Sequence, residues 1–200
     1  MRTAGNGACI VDSTMENLKR WLVVALGCVL LGAVHGQELW ANTRAGMAPD
    51  EVVGLVPNAY RAVGGPDFKA FDNWPGMTLQ ARVDRVEILG AQARAMFGFT
   101  NEGLQRVVLT FDTAGMTVGA FDQQCRTLRA ALNARYGPEG SASEEVSGTV
   151  YSTGEFKEYL WFSGQTQIRL GCTSSVSSLS PNDPILILGI SYQHIGASGL

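Results

Sequence analysis

The chain has 200 residues, 46% hydrophobic and only 16% charged, with a formal net charge of −3. That composition can build a core and is too apolar for a disordered chain. It has no basic excess to meet phosphates and no lysine/arginine block to meet anionic lipid, which argues against nucleic acid and the membrane surface as partners.

Lys19 and Arg20 precede an apolar run from Trp21 to Val34, and the chain turns polar at His35-Gly36-Gln37-Glu38. A basic start, an apolar middle and a small residue at the break are the parts of a secretory signal peptide. The run is shorter than the roughly 20 apolar residues a helix needs to cross a bilayer. Residues 1–36 are therefore predicted to be a signal peptide, with Met15 as the start and cleavage after Gly36. No stable membrane span would remain, and the mature chain would be periplasmic or secreted. Lipidation of Cys28 fits less well, because Val29 to Val34 stay apolar where a lipoprotein tether is polar. Cleavage would remove Cys9 and Cys28 and leave Cys125 and Cys172. Two cysteines in an oxidising compartment read as one disulfide.

The first predicted unit spans residues 37–112. Pro49 suits the first turn of a helix, Asp50 and Glu51 complement its dipole, and Pro57 ends it. Val52, Leu55 and Val56 would form its apolar side. Residues 58–78, rich in Gly, Pro and Asp, read as loop with room for one edge strand. Val86 and Ile88 then alternate with Arg85 and Glu87. Ala91, Ala93, Ala95, Phe97 and Phe99 share one face of a strand, with Gln92, Arg94 and Thr100 on the other. Asn101-Glu102-Gly103 makes a turn in which glycine supplies a positive φ, and Val107, Leu109 and Phe111 return as the next strand.

The second predicted unit spans residues 113–200. Ala45-Gly46-Met47 recurs as Ala114-Gly115-Met116, each before a helical segment. Phe121, Cys125, Leu128, Leu132 and Tyr136 recur at helical spacing, and Gly137-Pro138 stops the helix. Residues 139–148 read as a polar loop. Strands are predicted around Val150-Tyr151, Tyr159–Phe162, Ile168–Cys172 and Ile185–Tyr192, with a Ser-rich loop over 173–184. Cys172 shares a face with Ile168 and Leu170, and Cys125 lies on the helix's apolar side. A helix packed on that sheet face would bring them together, closing a loop worth on the order of 3–4 kcal/mol. The whole reads as α+β: two similar units, each a helix packed on antiparallel strands.

A Gly-Met before a short helix, followed by antiparallel strands with an Asn/Gly turn, resembles small modules of exported bacterial proteins. The SmpA/OmlA (BamE) group of envelope lipoproteins has one such module, and the secreted β-lactamase-inhibitor-like proteins resemble a tandem version. The resemblance covers roughly residues 40–195 and implies helices packed on one face of an antiparallel sheet. It transfers no functional residue.

No residue pattern for catalysis stands out. His194 is the only histidine of the mature chain, and no nucleophile elbow accompanies it. Gly64-Gly65-Pro66 lacks the spacing of a phosphate loop. With one histidine, two paired cysteines and no Asp-x-Asp loop, no metal or cofactor is expected. Asp67, Asp72 and Asp112 are scattered, and Asp50-Glu51 and Glu144-Glu145 are adjacent pairs. Trp40 and Trp161 read as packing residues. Trp74, in the loop Phe71-Asp72-Asn73-Trp74-Pro75, could anchor a partner. The expectation is an exported, non-enzymatic protein-binding module acting through Trp74, Gln92, Arg94 and Thr100. The alternatives are a hydrolase-like enzyme with carboxylates assembled in space, or a small-ligand carrier.

Overall fold

Period-two alternation dominates the chain after residue 76, and such alternation buries one face of a strand and leaves the other free. In the computed structural model, which describes residues 38–62, 76–149 and 152–196, that pattern becomes eight strands. All of these residues lie in the unit that spans 36–200. Tyr60–Arg61 (β1), Thr78–Ile88 (β2), Ala91–Thr100 (β3) and Gly103–Phe111 (β4) precede Ser141–Thr149 (β5), Ser152–Ser163 (β6), Thr166–Ser177 (β7) and Ser180–His194 (β8). Among the described residues two helices accompany them, Pro49–Leu55 (α1) before β1 and Val118–Tyr136 (α2) between β4 and β5. The predicted signal peptide, Cys28, Trp74, Asp67, Asp72 and Val150-Tyr151 lie outside the described residues.

The strands form one antiparallel sheet in the order β1-β2-β3-β4-β8-β7-β6-β5. This corrects the expected α+β fold of two similar units: strand far outweighs helix, and the halves are joined. Val107 pairs with Tyr192 and Leu109 with Ile190, so β4 and β8 merge both sets of strands into a single sheet. The physical reason is that Val107, Leu109, Ile190 and Tyr192 are all buried in one core, which two separate sheets would have to divide.

Two predicted loops are also corrected. Residues 139–148 are mostly β5, because the ladder offered by β6 holds extended a segment whose side chains favour a strand little. The loop expected over 173–184 shrinks to Ser178-Leu179, since β7 runs to Ser177 and β8 starts at Ser180. Pro181 and Pro184 are tolerated there because β4 meets β8 only from Gly189 to Gln193, leaving the earlier part an edge.

Both helices contribute to one core on the same sheet face. Val52 and Val56 are buried as expected, whereas Leu55 turns out to solvent. Glu51 caps α1 by accepting from the Ala48 amide at 2.6 Å. In α2, Phe121, Cys125, Leu128 and Leu132 are the buried residues, as their spacing predicts. They meet Tyr159, Trp161, Ile168, Leu170, Cys172, Leu188, Ile190 and Tyr192 from the strands. Thr117 caps the start of α2 by accepting from the Ala120 amide, and Gly137 ends it. Cys125 and Cys172 are bonded, with Cα atoms 6.3 Å apart, tying helix to sheet. Trp40 packs against Phe97, and Trp161 is fully buried. No helix among the described residues is long and apolar enough to cross a membrane.

Candidate interaction face

With both helices on one side, the other sheet face carries no helix among the described residues, and strand register states what it presents. Glu158, Gly171 and Gly189 stand side by side on β6, β7 and β8, and the row continues through Thr110 of β4 to Arg94 of β3. A β-carbon on Gly171 would meet open space, so the middle of this face is bare backbone. The next row is Phe156, Thr173 and Ile187. Ile187 is 57% exposed, Ile185 65% and Phe162 53%, and Phe156 is also exposed. All four share the parity of Glu158 and Gly189, opposite to the buried Tyr159, Trp161, Leu188 and Ile190.

Arginines run through the same face. Arg169 pairs with Glu158 beside the glycines. Arg106 is buried, donating to Gln193 Oε1 at 3.0 Å and to Ser191 Oγ at 3.1 Å. Burial, then the nearby Arg169, lowers its pKa to about 10, so it remains a cation at neutral pH. Toward the β1 border, Arg82 and Asp84 form an ion pair at 3.1 Å, and the Tyr60 hydroxyl donates to Asp84 at 2.6 Å. Over β2–β4 the face is partly closed by its own small cluster of Ala62, Leu79 and Met96, with Met77 and Val108. Among the described residues its exposed apolar side chains gather over β6–β8, with Tyr60 of β1 exposed at the far border.

Of the residues predicted for partner contact, Gln92 and Arg94 are exposed on β3 in this face. Thr100 sits at the end of β3, half-buried, its hydroxyl accepting from the Glu102 amide at 3.1 Å, and so belongs to the turn. Phe156, Phe162, Ile185 and Ile187 were not singled out. The signal was available: Phe162 follows Trp161, and neighbours in a strand point to opposite faces.

A second feature lies on the helix side. Asp122, Arg126 and Arg129 of α2 and Glu144, Lys157 and Tyr159 of β5 and β6 line a recess of about 160 Å³ beside Cys125. Lys157 donates to Asp122 at 3.3 Å and pairs with Glu155 at 3.0 Å. Burial opposes its ammonium, but the hydrogen bonds to Glu155 and Asp122 outweigh this and raise its pKa. Tyr159 donates to Glu144 at 2.8 Å; burial first, then that carboxylate, raises the phenol's pKa. The Arg129 guanidinium lies 4.2 Å over the Tyr159 ring. Both carboxylates in the recess already have partners. His194 ends β8, half-buried, opposite Thr166. No group of three or more His, Cys, Asp and Glu suited to a metal ion occurs among the described residues.

No family model, curated protein or solved structure matches the chain. The architecture itself defines the class: a single antiparallel sheet with helices on one face and the other face open.

Proposed function

We propose that the chain is an exported, non-enzymatic protein-binding module of the bacterial periplasm or envelope, holding its partner against the open sheet face. The observation that carries this reading is the exposed group Phe156, Ile185 and Ile187 beside the bare backbone of Gly171, with Phe162 exposed further along β6 beyond the Glu158–Arg169 pair. A contiguous apolar surface rimmed by polar groups is the usual mark of an interaction site. Arg94 and Gln92 would form part of the polar rim. The Cys125–Cys172 bond supports the exported location, because such bonds persist in oxidising compartments. The resemblance to exported helix-and-sheet modules is in keeping with the same reading.

Among the described residues, the carboxylate-site alternative is represented by the recess that holds Asp122 and Glu144. Lys157 and Tyr159 engage those two groups, which gives the recess a structural part in joining α2 to β5 and β6.

The test is crosslinked capture by the exported, C-terminally tagged chain in its host's envelope fraction, beside an Ile187→Asp variant. One stoichiometric protein held by the native chain and lost from the variant upholds the proposal. Equal retention by both chains, or no protein captured, overturns it.

A further inference from the structure

The sheet ends on one side in β5, whose ladder among the described residues is with β6 alone. That ladder runs without a register shift from Ser141 opposite Leu160 to Thr149 opposite Ser152. A strand bonded on one side offers a row of free N–H and C=O groups on the other. Two other edges among the described residues are guarded. β1, at the opposite border, has two residues, and the stretch of β8 beyond its pairing with β4 carries Pro181 and Pro184. β5 has nine residues, no proline and no bulge, and its described side chains are exposed.

Glu144, Glu145 and Val146 stand together at the middle of this strand, between Ser143 and Ser147. Glu144 is turned to the Tyr159 hydroxyl. Glu145 lies opposite Phe156 on the open sheet face, and Val146, 70% exposed, lies on the other face. We infer that β5 is a second binding edge, which accepts an extended basic segment of another protein as a ninth strand. Main-chain hydrogen bonds supply the attraction. A cationic side chain opposite Glu145 and an apolar one opposite Val146 set the register, because cross-strand pairs of that kind stabilise and like charges repel. The same rule disfavours a second copy: two β5 strands overlapping fully across a two-fold axis would place Glu145 opposite Glu145. This inference stands apart from the open-face proposal, since it uses the backbone edge.

The experiment titrates a labelled ten-residue peptide of alternating lysine and valine into the purified exported chain, read by fluorescence anisotropy. Two further peptides carry N-methyl groups on either the lysine or the valine amides. One edge of an added strand bonds β5, so one methylated form should bind about tenfold more weakly while the other holds its affinity. Glu145→Lys should also weaken the parent peptide about tenfold with an unchanged circular dichroism spectrum. Hydrogen exchange should show new protection across residues 141–149. The inference is overturned if both methylated forms bind like the parent, if Glu145→Lys changes nothing, or if protection falls elsewhere. A chain that self-associates with protected β5 amides before peptide is added would also overturn it, making the occupant a second copy.

Discussion

Gly46 and Gly103 meet backbone on backbone, and residue 103 has no room for a side chain toward Gly46. The Gly46 amide donates to the Leu104 carbonyl and the Leu104 amide to the Met47 carbonyl, both at 2.9 Å. A β-carbon on residue 103 would fall inside the Gly46 carbonyl group, and Gly103 also has a φ of +95°. The turn between β3 and β4 is thereby held against the segment that leads into α1.

Gly103→Ala should therefore cost about 3 kcal/mol, from steric overlap added to left-handed strain. Gly90 has a similar φ of +77° with open space around it, so Gly90→Ala should cost about 1 kcal/mol. Urea unfolding midpoints of the two variants measure the difference. Equal losses would mean that φ alone matters and that the close approach contributes nothing.

The Cys125–Cys172 bond spans 47 residues of sequence. Replacing both cysteines with alanine should lower stability by on the order of 3–4 kcal/mol, mainly by freeing the unfolded chain. Both sulfur-bearing residues are buried, so mild reductant should leave the folded chain oxidised until denaturant is added. Thiol labelling with and without urea checks this.

Trp161 donates its indole N–H to Asn133 Oδ1 at 2.8 Å and to the Gly137 carbonyl at 3.1 Å, tying β6 to the end of α2. Asn133→Ala leaves the second acceptor in place and should cost about 1 kcal/mol. Trp161→Phe removes the donor and leaves a void in the core, for a loss of about 3 kcal/mol. Thermal unfolding of each variant is the measurement.

Glu139 is held at a pKa of about 2, chiefly by its hydrogen bond from Arg129. A carboxyl lowered on folding stabilises the chain above its unfolded value and loses that contribution as the pH falls toward the folded value. Stability should thus decline between about pH 4.5 and pH 2, and Glu139→Gln should flatten that part of the curve. Melting temperatures across this range, compared for the two chains, decide it.

Ile187 and Ile190 are three residues apart on β8, one exposed and the other buried. Ile187→Thr should change stability by about 0.5 kcal/mol or less, while Ile190→Thr should cost about 2 kcal/mol or more. If Ile187→Thr proves as costly as Ile190→Thr, the open face is part of the core and the interaction proposal fails.

How far the sequence could be read depends on where each element finds its bonding partners. The helix of Phe121, Cys125, Leu128 and Leu132 was legible because its spacing reports one buried stripe, as was the strand of Ala91 to Phe99. Leu55 was not, because α1 is too short for its spacing to separate a core position from a boundary one. β5 was hidden for another reason: Ser141–Thr149 has little side-chain pattern, and only the ladder offered by β6 makes it a strand.

Local chemistry therefore determined by itself the two helices, the β3–β4 hairpin and the faces that place Cys125 near Cys172. Tertiary structure alone decided that β4 pairs with β8, that one sheet forms, and that Phe156 and Ile187 share an open face while β5 ends the ladder. Periodicity reports which side of an element is buried, but the identity of its neighbour is set by hydrogen bonds between residues far apart in the chain.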